Sequence, residues 1–246
     1  RLRFEYPTLF PNPQGPICQN DIICSDAYIG HSLTQAPFIF LNNTFHFFTY
    51  STLTFETTDF NDPHYVWWRN TYNPDVTFME IFYGPLFSSL TVSVFFLLSR
   101  SFNFSIKNSL ITSLIFSFST LLWPYSQTSL NNVPMIFFVL LGFLQFKKFQ
   151  KNNSTKSLFL SGVALGFAFL IRPDSIFFII PIYGLFIFKI RNIKQKFKNI
   201  FSFSTPLISS YFIYLFINFI RFGSTSYSSV TDTAMRIAPH SSEIMV

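Results

Sequence analysis

Charged residues are scarce in this sequence. Asp, Glu, Lys and Arg make up 11% of its 246 residues, whereas an average soluble domain has about 25%. So few charged residues leave too little polar surface for a water-soluble protein of this size. Hydrophobic residues account for 49% of the chain, including 37 Phe, and they occur in long blocks. The composition therefore predicts an all-α integral membrane protein.

Cysteine is also rare, and several familiar catalytic motifs are missing. Cys18 and Cys24 are the two cysteines, and in an oxidising compartment they could form a disulfide. The sequence has no Gly-rich phosphate loop and no G-x-S-x-G elbow, which argues against an ATPase, a soluble dehydrogenase and a serine hydrolase. No cluster of His and Cys completes a metal site. We expect no cofactor, although acidic residues among the first 80 could bind a divalent cation weakly.

Six apolar blocks approach the length of about 20 residues that a helix needs to cross a bilayer. They are Ile81–Leu98, Ser109–Tyr125, Val133–Phe146, Ser157–Ile171, Ser175–Phe188 and Ile200–Ile220. The sequence thus predicts a polytopic bundle of six transmembrane helices over residues 81–220. Residues 1–80 are predicted to form an extracytoplasmic loop, and residues 221–246 to begin the next one. The chain starts at Arg1, and we expect it to be a fragment.

The distribution of charge predicts the orientation in the membrane. All nine lysines fall in alternate loops, between residues 98 and 109, 146 and 157, and 188 and 200. All eleven Asp and Glu fall in the other compartment. By the positive-inside rule the lysine loops are cytoplasmic. Because the net charge of +6 is divided among short loops, we expect no nucleic-acid partner.

A shorter apolar segment precedes these blocks. Pro37–Tyr50 has only about 14 residues, too few to span a bilayer. We predict a helix in the outer interface, with Asn42, Asn43 and His46 kept in contact with water. The alternative is an additional span.

Acidic residues of the first loop are the candidates for proton transfer. A carboxylate at Asp21 or Asp26 could remove a proton from an acceptor hydroxyl or amine. His31 follows closely and is a candidate for substrate binding. The alternative is that these acids are merely solvated, and their spacing alone favours this alternative.

The candidates for binding a phosphate lie at the predicted outer ends of the helices. Arg172 could bind a phosphate with its planar guanidinium, with Asp174 beside it. Alternatively, the two residues form a local pair that closes a hairpin. Tyr125 and Arg221 complete an outer face that suits a lipid with an anionic head group.

Four stretches resemble the membrane glycosyltransferases of the GT-C fold, which include protein O-mannosyltransferases and lipid A aminoarabinose transferases. They are Asp26–Phe38, Thr120–Ser126 (containing Trp-Pro-Tyr-Ser), Gly162–Pro173 and Asn218–Ser224. Many relatives carry an acid shortly after Trp-Pro-Tyr-Ser, where this chain has Asn131 and Asn132. The order and spacing of the four stretches agree with the family over residues 20–225.

The resemblance implies a function. It implies transfer of a sugar, with inversion, from a polyprenyl-phosphate carrier to a protein, lipid or glycan acceptor on the extracytoplasmic side. Asp21 and Asp26 are the positions that could match the family's first-loop acid, with Glu5 as the alternative, and Arg172 and Arg221 could match its basic residues. Because relatives of this pattern are commonest there, the resemblance also favours a prokaryotic plasma membrane. A transporter or flippase of a lipid-linked sugar, and a non-catalytic protein of the same fold, are the alternatives.

Overall fold

The computed structural model describes residues 29–45, 74–127, 130–189 and 193–222. Within these ranges the chain forms helices and no strand, which confirms the predicted all-α class. The helices are α1 (Ile29–Phe45), α2 (Pro74–Ser101), α3 (Ile106–Ser119), α4 (Leu122–Tyr125), α5 (Asn132–Asn152), α6 (Thr155–Ile171), α7 (Ile176–Lys189) and α8 (Ile193–Phe222), with a 3₁₀ turn at Pro173–Ser175.

Three of these helices are long and apolar enough to cross a membrane. The spanning segments are Ile81–Ser101 in α2, Asn132–Asn152 in α5 and Phe197–Ile220 in α8. Thr155–Ile171 and Pro173–Leu185 are shorter apolar helices. Phe177 and Phe201 are 74% and 75% exposed, which is favourable in lipid and costly in water. The chain is therefore a membrane protein, while the number of six spans remains a prediction.

The second predicted span, Ser109–Tyr125, is not one continuous helix. The backbone is extended at Thr120, which separates α3 from α4. The Thr120 hydroxyl donates to the carbonyl of Phe116 at 2.7 Å and accepts from the amide of Leu122 at 3.2 Å. This side chain thus satisfies backbone groups on both sides of the break.

Helices α2, α5, α6 and α8 pack side by side, with α3 on the outside of α2. Small residues allow the close approach of α6 to its neighbours, as is common between membrane helices. A Cβ added at Gly142 would lie 2.7 Å from the side chain of Leu165, and one added at Gly162 would lie 2.5 Å from the carbonyl oxygen of Phe203. Ser161 Oγ also donates to the carbonyl of Gly142 at 2.7 Å.

Helix α1 packs against α2 and α6. It begins at Ile29 and continues through Pro37, so it starts eight residues earlier than the predicted interfacial helix. Asn43 is exposed, but Asn42 is only 3% exposed. The prediction that Asn42 stays in contact with water is therefore wrong, because α1 is seated on the bundle and buries that side chain. His46 lies outside the described residues.

Candidate functional site

One end of the bundle brings together residues that are far apart in the sequence. We call it the Arg172 end; it contains Arg172, Asn132 at the start of α5, α4 and the first turn of α1. Contacts of Gly142 with Leu165 and of Asn132 with Arg172 show that α5 and α6 are antiparallel. The opposite end holds the turn at Asn153 and Lys147, whose Nζ lies 4.1 Å from the ring centroid of Phe102.

The Arg172 guanidinium is held between two helix ends. Its Nε and Nη2 donate to Asp174 Oδ2 at 3.1 and 2.8 Å, and its Nη1 donates to Asn132 Oδ1. The backbone turns sharply here because Arg172 is extended and Pro173 begins the 3₁₀ turn. The side chains of Arg172 and Asp174 are 34% and 60% exposed. The predicted local pair is therefore present, and the guanidinium still reaches the surface.

Asn132 is a member of this cluster that the sequence prediction missed. It is the first residue of α5, and the preceding Asn131 makes no side-chain capping bond. An Asn at a helix start commonly caps a backbone amide, but Asn132 instead accepts from a guanidinium 40 residues away. The two consecutive asparagines were a visible signal, although nothing in the sequence pointed to Arg172 as their partner.

A buried polar network fixes α1 to α2 near the same end. Thr34 Oγ1 donates to the carbonyl of His31 at 2.8 Å and lies 2.7 Å from the hydroxyl of Tyr83. Tyr83 is fully buried and its hydroxyl lies 3.2 Å from His31 Nδ1. Each hydroxyl has one proton, so Tyr83 donates to Thr34, and His31 donates to Tyr83 through a protonated Nδ1.

The first turn of α1 also touches the backbone beside Arg172. A Cβ added at Gly30 would lie 2.4 Å from the amide nitrogen of Ile171 and 2.5 Å from the carbonyl carbon of Leu170. Only glycine permits this approach. The contact places the start of α1 next to the residue that precedes Arg172.

Apolar packing below the site includes another predicted binding residue. Tyr125 is half-buried and packs with Phe38 of α1 against a core that contains Tyr83 and Leu122. The neighbouring Trp123 is 52% exposed and contacts Phe118. Tyr125 therefore contributes to the packing between α1 and the bundle, whereas Trp123 suits the membrane interface.

The structure brings together some of the predicted site residues. Arg172 and Asp174 form one cluster, and His31 belongs to the buried network next to it. Asp21 and Asp26 lie outside the described residues. Arg221 belongs to the last turn of α8, and its side chain is not among those described. Cys18 and Cys24 likewise lie outside the described ranges.

Two further observations bear on ligand binding. The Ser175 hydroxyl is buried and has no hydrogen-bond partner among the residues that the structure describes. Among all the residues that the structure describes, no group of three or more His, Cys, Asp and Glu side chains could hold a metal ion. The cation of the described cluster is the Arg172 guanidinium, which reaches the surface.

Comparison with known protein families gives one match. A family model described as dolichyl-phosphate-mannose-protein mannosyltransferase matches residues 60–227, which is more than half of the chain. The match includes Arg172, Asp174 and Asn132 as well as α2 through α8. No curated protein and no solved structure matches the chain.

Proposed function

Because the chain belongs to the dolichyl-phosphate-mannose-protein mannosyltransferase family, we propose that the Arg172 end holds the phosphate of its lipid-linked donor on the extracytoplasmic side. At the level of the family, the chain is a membrane glycosyltransferase that uses a polyprenyl-phosphate sugar. The observation that carries the proposal is the Arg172 guanidinium, held by Asn132 and Asp174 and still partly exposed.

The chemistry of the donor suits this cation. A polyprenyl-phosphate sugar carries one negative charge on its phosphodiester, and a second charge develops on the phosphate as the bond to the sugar breaks. A preorganised guanidinium stabilises that developing charge. The N-terminus of α5, at Asn132, adds the partial positive charge of the helix dipole.

The distribution of charge supports the extracytoplasmic side. Helix α6 and helix α8 run in the same direction, since Gly162 lies against Phe203 and Gly166 lies against Ser210. Arg172 and the end of α8 therefore lie at the same end of the bundle. Lys147 and the turn at Asn153 lie at the opposite end, as the positive-inside rule requires if the Arg172 end faces outward.

The proposed reaction is an inverting displacement. An acceptor oxygen attacks the anomeric carbon, the bond from that carbon to the phosphate oxygen breaks, and the lipid phosphate leaves with the electron pair. A first-loop carboxylate, Asp26 or Asp21, takes the proton of the acceptor. Asp26 precedes Gly30 by four residues, and four residues span at most about 14 Å. Since Gly30 touches Ile171, Asp26 is our first choice for the base.

Sugar transfer by membranes that contain the protein tests this function. Wild type is compared with Asp26→Asn and Asp21→Asn, using a labelled polyprenyl-phosphate sugar and a protein acceptor. We expect wild type to transfer label, and Asp26→Asn to lower the turnover by about 100-fold or more, the usual contribution of a general base. Equal rates in both variants and wild type would exclude these acids.

The anomeric configuration of the product tests inversion, and it should be opposite to that of the donor.

Wild-type membranes that transfer no sugar, but move labelled donor across vesicles, would instead favour the transporter. The absence of both activities would favour a non-catalytic protein of the same fold.

A further inference from the structure

We propose that Asn132 is itself a ligand of the donor phosphate, through the N–H groups of its side-chain amide. This inference rests on the proposed binding of the lipid phosphate at Arg172. Asn132 would then bind the donor directly, in addition to holding the guanidinium.

The orientation of the Asn132 amide follows from its contact with Arg172. A guanidinium has five N–H donors and no acceptor, so the Asn132 atom that Nη1 contacts must be the oxygen, Oδ1. The nitrogen, Nδ2, is therefore the other atom bonded to the same amide carbon. Its two N–H groups have no hydrogen-bond partner among the described residues, and the side chain is half-buried rather than enclosed.

The guanidinium has two donors left for a ligand. The bonds to Asp174 and Asn132 use one N–H each on Nε, Nη2 and Nη1. One N–H remains on Nη1 and one on Nη2. These two donors and the amide N–H groups of Asn132 are neighbouring, because Oδ1 joins the two side chains. A phosphate oxygen accepts charge-assisted bonds from such a set.

The absence of a charge on the Asn132 side chain is important for this role. Within the described cluster Arg172 has one counter-ion, Asp174, so an anion brings the total charge to minus one. An aspartate at position 132 would keep an acceptor for Nη1, but it would replace the amide donor by a negatively charged oxygen. Asparagine therefore orients Arg172 and binds the anion at once, which aspartate cannot do.

The test compares Asn132→Asp, Asn132→Ala and the matched control Asn131→Ala. The full-length protein is placed in nanodiscs of phosphatidylcholine, and the Kd for polyprenyl phosphate is measured without any sugar transfer. We expect Asn132→Ala to weaken binding about tenfold, which is about 1.4 kcal/mol. Asn132→Asp should weaken it more, by about 30-fold or above, and this loss should shrink at high salt because charge repulsion is screened. Asn131→Ala should bind like wild type.

The order of the two Asn132 variants decides between binding and mere support. If Asn132 only held Arg172, aspartate would hold it as well, and at high salt, where the charge repulsion is screened, Asn132→Asp would bind more tightly than Asn132→Ala. That order, or binding within twofold of wild type in both variants, would overturn the inference. Because binding is measured without turnover, the expected order together with no sugar transfer would support this inference and contradict the proposed enzyme.

Discussion

Gly30 lies against the backbone of Ile171, so closely that a Cβ at Gly30 would stand 2.4 Å from the Ile171 amide nitrogen. The contact joins the helix that follows the acidic first loop to the residue before Arg172. It is supported by the buried hydroxyl of Tyr83, which links His31 and Thr34 of α1 to α2. Helix α1 therefore connects two parts of the proposed active site.

Replacing Gly30 by alanine should displace α1. The added methyl group would meet backbone atoms, which cannot rotate away, and overpacking of this kind costs about 1–3 kcal/mol. We expect a lower Tm in detergent and reduced sugar transfer. Gly184→Ala is the matched control, since nothing lies within 4 Å of its Cβ position, and its Tm should stay unchanged or rise. A Gly30→Ala protein as stable and active as Gly184→Ala would show that the contact is unimportant.

Tyr83→Phe should loosen α1 in a different way. It removes the hydroxyl that Thr34 and His31 share in the core, and lost buried hydrogen bonds of this kind cost about 1–2 kcal/mol. We expect a lower Tm and faster proteolysis near residue 29. Tyr211→Phe serves as the control, because Tyr211 is 50% exposed. Equal effects of the two changes would contradict a structural role for the network.

The glycines of α6 should differ in how well they tolerate alanine. A Cβ at Gly162 meets the carbonyl oxygen of Phe203, while one at Gly166 meets Ser210 Oγ at 2.4 Å. A side chain can move or be shortened, whereas a carbonyl cannot. We expect Gly162→Ala to lower the Tm more than Gly166→Ala, and Ser210→Ala to restore part of the stability of Gly166→Ala. Full tolerance at Gly162 would show that α6 and α8 are further apart.

The orientation can be tested by labelling single cysteines. With Cys18 and Cys24 replaced by serine, one cysteine is introduced at Gln127, at the Arg172 end, or at Asn153, at the lysine end. A maleimide that cannot cross membranes should label Gln127→Cys in intact cells, and Asn153→Cys only after permeabilisation. The reverse pattern would place the proposed site on the cytoplasmic side.

The sequence predicted the class of protein better than the bounds of its helices. The predicted block Val133–Phe146 lies within α5, which continues to Asn152 because lysine side chains can extend from an apolar helix toward water. Hydropathy ends where the charges begin, but the helix does not. Helix α1 was predicted too late because its first turn is stabilised by contacts with Tyr83 and Ile171, which no local pattern reveals.

The candidate site was predicted in part for a similar reason. Arg172 and Asp174 are two residues apart, so their pairing was visible as a hypothesis in the sequence. Asn132 lies 40 residues from Arg172, and only the antiparallel packing of α5 on α6 brings them together. Asp21 and Asp26 remain predictions, since they lie outside the described residues.

The central claim is that Arg172 binds the donor phosphate, and the donor KM tests it most directly. Membranes containing Arg172→Ala, Arg172→Lys or the control Arg100→Ala are compared with wild type. Arg100 lies near the turn at the lysine end, where its Nη1 donates to the carbonyl of Phe104. Loss of the charge-assisted bonds of Arg172 should raise the donor KM about 10- to 100-fold. Lysine should restore little, because its ammonium lacks the planar fork that contacts Asp174 through Nε and Nη2 and Asn132 through Nη1. Arg100→Ala should keep the wild-type KM. An unchanged donor KM in Arg172→Ala, in a protein that inserts normally, would contradict the account.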